Sequence, residues 1–452
     1  MSTFEPRSPY SEEELKNLYP ENLELRNVQV LFRHGERTPT AVRLENAGVA
    51  RFWPFCHSAK AFTSAVLGNG QEWDHLRFER RIETFEESGS AMVAASPEKH
   101  VDNICLQGQL TDRGRETTLA LGMRLRKLYV EQLGFLPSYL DDVNKTFFLR
   151  MTPIPRAGES LHQVFTGLYP VSFRNPNDIP IINTRNPQDE NLYPNDANCR
   201  RFNQLARSFA KLAAETHNNS PEMQYLQEKL GKWMPDGQKV AVDGHPRLSG
   251  LMDTTNAVLA HANPHSLPQE FHDPEVRRIM NDINVDEWFR GYSQSSEYRR
   301  LGVGSLMGDI KDRALQTVKG KSTIKVGLYG CHDTTIAGLL ATMGAFDNLW
   351  PPFTSSIAFE TFHDRNQKPG LLQSLMRRNP EEGWYVRVRY NDKVVIPKTC
   401  RKPGNHLEGD ESFCTMTAFR EMCEKIAPTN WKYECLQNMG NGHGIPPVEP
   451  VE

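Results

Sequence analysis

Residues Val28 to Thr40 read VQVLFRHGERTPT: an apolar, valine-rich run that breaks directly into arginine, histidine, glycine and a second arginine. Asn27 to Phe32 has the composition of a buried strand. Burying charged groups at its end is costly unless something uses them. In open α/β sheets ligands sit outside the carboxyl ends of the strands, and two later segments repeat the arrangement. TFFLRMT (Thr146–Thr152) reads as a strand that runs into prolines and then Arg156, and STIKVGLYG (Ser322–Gly330) is followed by Cys331, His332 and Asp333.

Helical patterns alternate with these strands. Thr111 caps a run whose Leu121, Leu125 and Leu128 share a helical face, closing at Gly134, and Ile336, Leu339, Leu340 and Met343 do the same before Gly344. Between Asn195 and Arg299 helical segments dominate, including CRRFNQLARSFAKLAAETH and HPRLSGLMDTTNAVLAHAN. The runs IAFETF and WYVRVRYNDKVV, with an Asn-Asp turn, add further strands near the C-terminus. Residues 43–108 show little repeated pattern and read as a long irregular excursion. GVGSLMG (302–308) reads as a loop entering a helix. The expected class is α/β: a mostly parallel, doubly wound sheet flanked by helices. Residues 24–194 and 300–452 would form a discontinuous core, 195–299 an inserted helical lobe, and 1–23 an N-terminal leader.

Composition narrows the function. The 452 residues are 38 % hydrophobic and carry a formal charge of −3, which leaves no overall electrostatic footprint for nucleic acid. No stretch approaches the roughly 20 apolar residues needed to span a bilayer. The first 25 residues have neither an apolar signal region nor a transit-peptide composition, so a cytoplasmic location is expected. Asn144 and Asn218 satisfy the glycosylation sequon, which in that compartment is chance. The eight cysteines form no C-x-x-C pair and no zinc-like spacing with histidine, so no metal site is expected. Most are expected to be buried reduced thiols, with Cys400 and Cys414 as a minority disulfide candidate across a short loop.

Arg33, His34 and Arg37 past one strand, Arg156 past another, and His332 with Asp333 at a helix start would make an anion site if they converge. Phosphate suits it best, because guanidinium forks grip it in a bidentate manner. His-Asp occurs three times in the chain, at His272, His332 and His363. Asp273 precedes Pro274 and reads as a helix cap, and His363 and Asp364 fall in a turn. The middle pair alone follows a buried-type strand and opens an amphipathic helix.

RHGERTP, together with the later GCHD, resembles the histidine acid phosphatase branch of the histidine phosphatases, whose pattern is R-H-G-x-R-x-P plus a distant H-D. The resemblance runs through LTDRGRETTLALGMRLRKLY, FFLRMTPIPR, LYPND and FDNLWPPF, covers most of residues 26–436, and is strongest to the lysophosphatidic acid phosphatase subgroup. It implies a phosphoglycerate-mutase-like fold and a phosphomonoesterase that uses no metal or other cofactor. His34 would be the nucleophile and Asp333 the proton donor, with Arg33, Arg37, Arg156 and His332 as phosphate ligands and an acidic pH optimum. The segment around the third arginine departs from the family's R-S-T-D-x-x-R-T, which leaves Arg150 and Arg156 as alternatives. The substrate would be a small phosphate monoester. Lysophosphatidic acid is the first expectation, with Phe52, Trp53 and Phe55 as a candidate acyl entrance. A sugar or inositol phosphate, or phosphate binding without catalysis on the same fold, are the alternatives.

Overall fold

The computed structural model describes residues 2–68, 70, 72–261, 267–366, 380–441 and 448–451. The end of the helix read up to Asn263 and the turn residues from 367 onward lie outside these.

Helix α1 (Glu12–Leu18), capped by Ser11, leads into strand β1 (Leu23–Arg33). Asn27 to Arg33 are all buried. Val28, Val30 and Phe32 face one hydrophobic core and Leu31 another, so the apolar run is continuous because both faces of the strand are covered.

The excursion after β1 is more ordered than expected. It contains two antiparallel hairpins, β2 (Phe62–Leu67) with β3 (Trp73–Phe78) and β4 (Glu83–Phe85) with β5 (Ala91–Val93). Alternation in a strand records burial of one face, and these strands bury neither. Their sequence therefore carries no strand pattern.

Helix α2 (Asp112–Arg126) starts at Thr111, whose side chain accepts from Gly114 N, and continues as a π-helical turn over Lys127–Gln132. A short helix α3 (Val143–Thr146), strand β6 (Phe147–Met151), helix α4 (Pro155–Leu168) and strand β7 (Ile182–Asn183) follow. Helices α5 (Arg200–His217), α6 (Pro221–Leu230), α7 (Leu248–Ala260), α8 (Pro274–Gln294) and α9 (Ser296–Arg299) come next. A second π-helical turn, Arg300–Gly304, runs without a break into α10 (Ser305–Val318), where a loop was expected. The chain then passes through β8 (Val326–Cys331), α11 (Asp333–Thr342), β9 (Ser356–Asp364), β10 (Trp384–Tyr390), β11 (Lys393–Val395), β12 (His406–Leu407), β13 (Asp410–Thr415), α12 (Met416–Ile426) and α13 (Trp431–Glu434).

The main sheet runs β12-β13-β10-β9-β1-β8-β6-β7, with β11 on β10. The α/β reading holds. Strands β1, β8, β6 and β7 are parallel, helices cover both faces, and the C-terminal strands join antiparallel. Helix α2, after β1, packs with Val28 and Val30 through Leu121. Helix α11, after β8, packs on the other face through Leu339 and Leu340. Two adjacent parallel strands thus send their following helices to opposite faces, which opens a crevice at their carboxyl ends.

The helices between 195 and 299 do not enclose one core of their own. α6, α7 and the first half of α8 gather Met223, Leu226, Leu251, Val258 and Ile279, a core completed by Leu44, Val49 and Trp53 from the excursion. Most of α5 and the rest of α8 pack toward the sheet through Phe202, Leu205, Phe289 and Tyr292.

The cysteines require a correction. Cys56–Cys105, Cys199–Cys435 and Cys400–Cys414 are disulfides, and only Cys331 and Cys423, both buried, are free. Partners 49 and 236 residues apart cannot be paired from spacing, because the fold brings them together.

Candidate active site

Register assembles the site. β1 and β8 pair with Arg33 opposite Cys331, and the next backbone amide, His34 N, donates to Cys331 O at 3.1 Å. The arginine-histidine pair that leaves β1 therefore stands beside the histidine-aspartate pair that leaves β8. On the far side of β8, Met151 pairs with Gly330, and Thr152 Oγ1 lies 3.1 Å from His332 Nε2. Gly35 is required sterically: a Cβ there would sit 2.2 Å from Gly114 O, and one on Gly114 would sit 2.2 Å from Glu36 O. The turn after β1 and the start of α2 touch backbone to backbone.

His34 is buried, and its Nδ1 faces Gly35 O at 2.9 Å. A carbonyl only accepts, so Nδ1 carries the proton and Nε2 keeps its lone pair. Burial, then Arg156, Arg33, Arg37 and His332, push the imidazole well below its ordinary pKa. It stays neutral in mild acid. Burial and Arg156 depress His332 in the same way.

Arg33 donates from Nη1 to Pro351 O at 2.7 Å, pairs through Nη2 with Asp333 Oδ2 at 2.7 Å, and lies 4.0 Å over the Phe353 ring. Arg37 is held by Asp253, 2.7 Å from its Nη2, while Asp253 also accepts from Thr40 N and Oγ1 at 3.1 and 2.9 Å. Burial raises the Asp253 carboxyl, but Arg37 and these bonds outweigh it and hold it below the usual range. The Nε–H groups of Arg33, Arg37 and Arg156 are buried without protein partners among the described residues. They are donors without an acceptor.

The two candidates for the third arginine separate cleanly. Arg150 lies inside β6 and binds Glu190 at 2.5 Å, Asn191 Oδ1 at 2.7 Å and Asp309 at 3.2 Å, so its charge is consumed internally. Arg156, in the first turn of α4, makes only a 3.4 Å bond to Gly108 O and has no carboxylate partner among the described residues. Burial and then Arg37 lower its pKa to about 10. Its charge is felt at both His34 and His332.

Asp333 is the first residue of α11, where the helix dipole favours an anion. Its Oδ2 also accepts from Trp350 Nε1 at 3.0 Å. Burial raises this carboxyl, but Arg33, Arg37 and Trp350 outweigh it and hold it below the ordinary value. All six residues singled out from the sequence thus share one crevice. Of the other His-Asp pairs, Asp273 caps α8 by accepting from Glu275 N, and His363 packs on Trp384 at the far end of β9.

Three supporting residues were not anticipated: Asp253, Trp350 and Phe353. The last two lie in FDNLWPPF, already notable in the sequence, whereas Asp253 sits mid-helix in α7 with no local signal. Of the three aromatics expected at an acyl entrance, Trp53 and Phe55 are engaged in other packing. Trp53 is buried in the core shared by α6–α8, and Phe55 stacks on His261 at 5.7 Å. A cavity of about 390 Å³ opens beside Thr334, between α5 and α8, walled by Phe202, Trp288, Phe289 and Tyr292, with Arg247 and Glu287 at its polar side. Among the described residues no cluster of histidine, cysteine, aspartate and glutamate has the form of a metal site, and no helix is long and apolar enough to cross a membrane.

Residues 24–391 match the family described as histidine phosphatase superfamily (branch 2). The chain is 36 % identical to a probable acid phosphatase of Schizosaccharomyces pombe, over 92 % of this chain and 95 % of that one. It is 26 % identical to lysophosphatidic acid phosphatase type 6 of Bos taurus, over 93 % and 89 %. Among solved structures, Hafnia alvei phytase in complex with tartrate superposes with a TM-score of 0.58 at 13 % identity, over 92 % of this chain and 99 % of the phytase, a likeness of fold alone.

Proposed function

From the premise that this chain belongs to branch 2 of the histidine phosphatase superfamily and is a phosphomonoesterase of the histidine acid phosphatase type, we propose that it works through a phosphohistidine on His34, with Asp333 as proton donor. The observation that carries this reading is the 2.9 Å bond from His34 Nδ1 to Gly35 O, which leaves Nε2 as a fixed, neutral nucleophile among three arginines.

The phosphate of the ester takes the place that the unpartnered Nε–H groups of Arg33, Arg37 and Arg156 define, with His332 beside them. These donors offset the charge on the non-bridging oxygens, where most of phosphoryl-transfer catalysis lies. Nε2 of His34 attacks phosphorus in line. The P–O bond to the alcohol breaks, and the alcohol oxygen takes its proton from Asp333. The Asp333 carboxylate then accepts a proton from the water that attacks the phosphohistidine, which releases inorganic phosphate and restores the acid. In the resting site the arginines hold Asp333 ionised. The negative charge of the bound phosphate offsets that field on arrival, so the carboxyl rises toward protonation when its proton is needed.

The substrate in this reading is a phosphate monoester with an apolar alcohol, lysophosphatidic acid being the first choice. It is supported by the similarity to lysophosphatidic acid phosphatases and by the aromatic cavity lined by Thr334, the residue after Asp333. The compartment belongs to the same reading. Three disulfides support an oxidising setting, where such bonds persist, over the cytoplasm expected from the N-terminal residues. Relative kcat/KM for lysophosphatidate, p-nitrophenyl phosphate and inositol phosphates tests the substrate. A clear preference for inositol phosphates overturns it.

A further inference from the structure

The segment from Trp350 to Thr354, between α11 and β9, meets the crevice at several points. Trp350 Nε1 donates to Asp333 Oδ2 at 3.0 Å, and Pro351 O accepts from Arg33 Nη1 at 2.7 Å. The Phe353 ring lies 4.0 Å under the Arg33 guanidinium and 5.9 Å from the His34 ring, and Thr354 N donates to His34 O at 3.3 Å. Arg33, His34 and Asp333 all lean on this one segment.

Its backbone needs restraint. Thr354 has a φ of 63°, a left-handed conformation that is an outlier for a β-branched residue. Such conformations persist only where the surroundings over-determine them, and they cluster at functional sites. One restraint is Thr117, whose Oγ1 lies 2.9 Å from Thr354 Oγ1. Another comes from the start of the chain, which the sequence marks only as a leader. Phe353 N donates to Ser2 O at 2.9 Å and Phe4 N donates to Phe353 O at 3.0 Å, so Ser2 to Phe4 lie along Phe353 as a parallel bridge. Phe353 is buried, and these two bonds satisfy both of its backbone groups. Thr3 also reaches the other wall of the crevice. Glu36, beside Arg37, is buried; burial raises its carboxyl, and the hydroxyls of Thr117 and Thr3 lower it against that. Glu5 to Pro9 are then exposed, Arg7 pairs with Glu14, and Tyr10 is buried with its hydroxyl donating to Asp392 O at 2.9 Å. The bridge at Phe353 is thus separate from the anchor at Tyr10.

We propose that Ser2 to Phe4 form a positioning strap for the crevice. Its backbone bonds to Phe353 fix the support beneath Arg33 and His34, so a chain that lacks it folds but turns over slowly. The strap rests on the reading of that crevice as the site of phosphoryl transfer.

Deletion of residues 1–5 stops short of Arg7 and Tyr10, and Phe4→Pro removes the Phe4 N–H donor from a chain of full length. Both are assayed on p-nitrophenyl phosphate beside the wild type, with circular dichroism reading the folded fraction at the assay temperature. In each, kcat falls about 10- to 10²-fold, the scale of a small misplacement of reacting groups, while KM changes much less and the folded fraction stays at the wild-type level. Phe4→Leu keeps the N–H and an apolar side chain and retains the wild-type kcat. Unchanged kcat in the deletion or in Phe4→Pro, a loss matched by the unfolded fraction, or Phe4→Leu as slow as Phe4→Pro each overturns the strap and leaves the phosphoryl-transfer reading standing. A wild type inert toward every phosphate ester overturns that reading, and the strap with it.

Discussion

Arg33 Nη2 and Asp333 Oδ2 lie 2.7 Å apart, joining the last residue of β1 to the first residue of α11 across three hundred residues of chain. The contact helps hold the Asp333 carboxyl below its ordinary pKa at the edge of the candidate crevice. Asp333→Asn keeps a hydrogen-bond acceptor for Arg33 and Trp350 but cannot protonate a leaving group. Its kcat on an alkyl phosphate is expected to fall by about 10²–10⁴-fold, the usual worth of general acid catalysis. The loss should be much smaller on p-nitrophenyl phosphate, whose leaving group needs no proton. Equal losses on both esters would argue against the donor role.

His34→Ala removes the proposed nucleophile and leaves the arginines in place. Rapid quenching with a labelled ester should trap phosphate on the wild type and none on the variant, and kcat should fall by roughly 10³-fold or more. Label retained by the variant at the wild-type level excludes a phosphohistidine at this position.

Arg156 and Arg150 separate function from stability. Arg156→Leu deletes a charge with no carboxylate partner among the described residues, so kcat/KM should drop by about 10²-fold with little change in unfolding. Arg150→Leu strands the fully buried Glu190. Its expected cost is about 3–5 kcal/mol of stability, the usual penalty for leaving a buried charge unpaired. Urea unfolding and steady-state kinetics on the pair test both halves.

The rate should peak in acid. Burial and neighbouring positive charge lower the His34 pKa, so Nε2 remains free well below the ordinary histidine range. The donor form of Asp333 fills only as pH falls, because the same arginines depress it. Together these place the optimum on the acid side of neutrality. The alkaline fall should disappear in Asp333→Asn. A maximum above pH 8 would contradict the assignment.

Thiol counting tests the cysteine framework. Denatured without reductant, the chain should react at Cys331 and Cys423 only, and after reduction at all eight. Replacing Cys199 and Cys435 by serine should cost about 2–5 kcal/mol, the usual range for losing a native disulfide.

Much of the site was legible because its residues sit in short strings with a local reason for their order. A buried strand followed by Arg33, His34 and Arg37, and another followed by His332 and Asp333, each announce a strand end that faces a ligand. The main helices were legible where one face is buried, as in α2 and α11. The hairpins of residues 62–93 were not, since strands with neither face buried leave no alternation to read.

By itself the sequence determined the family, because RHGERTP and the later His332–Asp333 pair are legible from residue type and local order. Tertiary structure alone decided which of the two arginines keeps its charge uncommitted, since Glu190 and Asp309 reach Arg150 from distant segments and, among the described residues, no carboxylate reaches Arg156. It also decided that Asp253 orients Arg37, and that six cysteines pair across loops of up to 236 residues. Such contacts are set by the register of β1 on β8 and by helix packing, and no local stretch of chain encodes them.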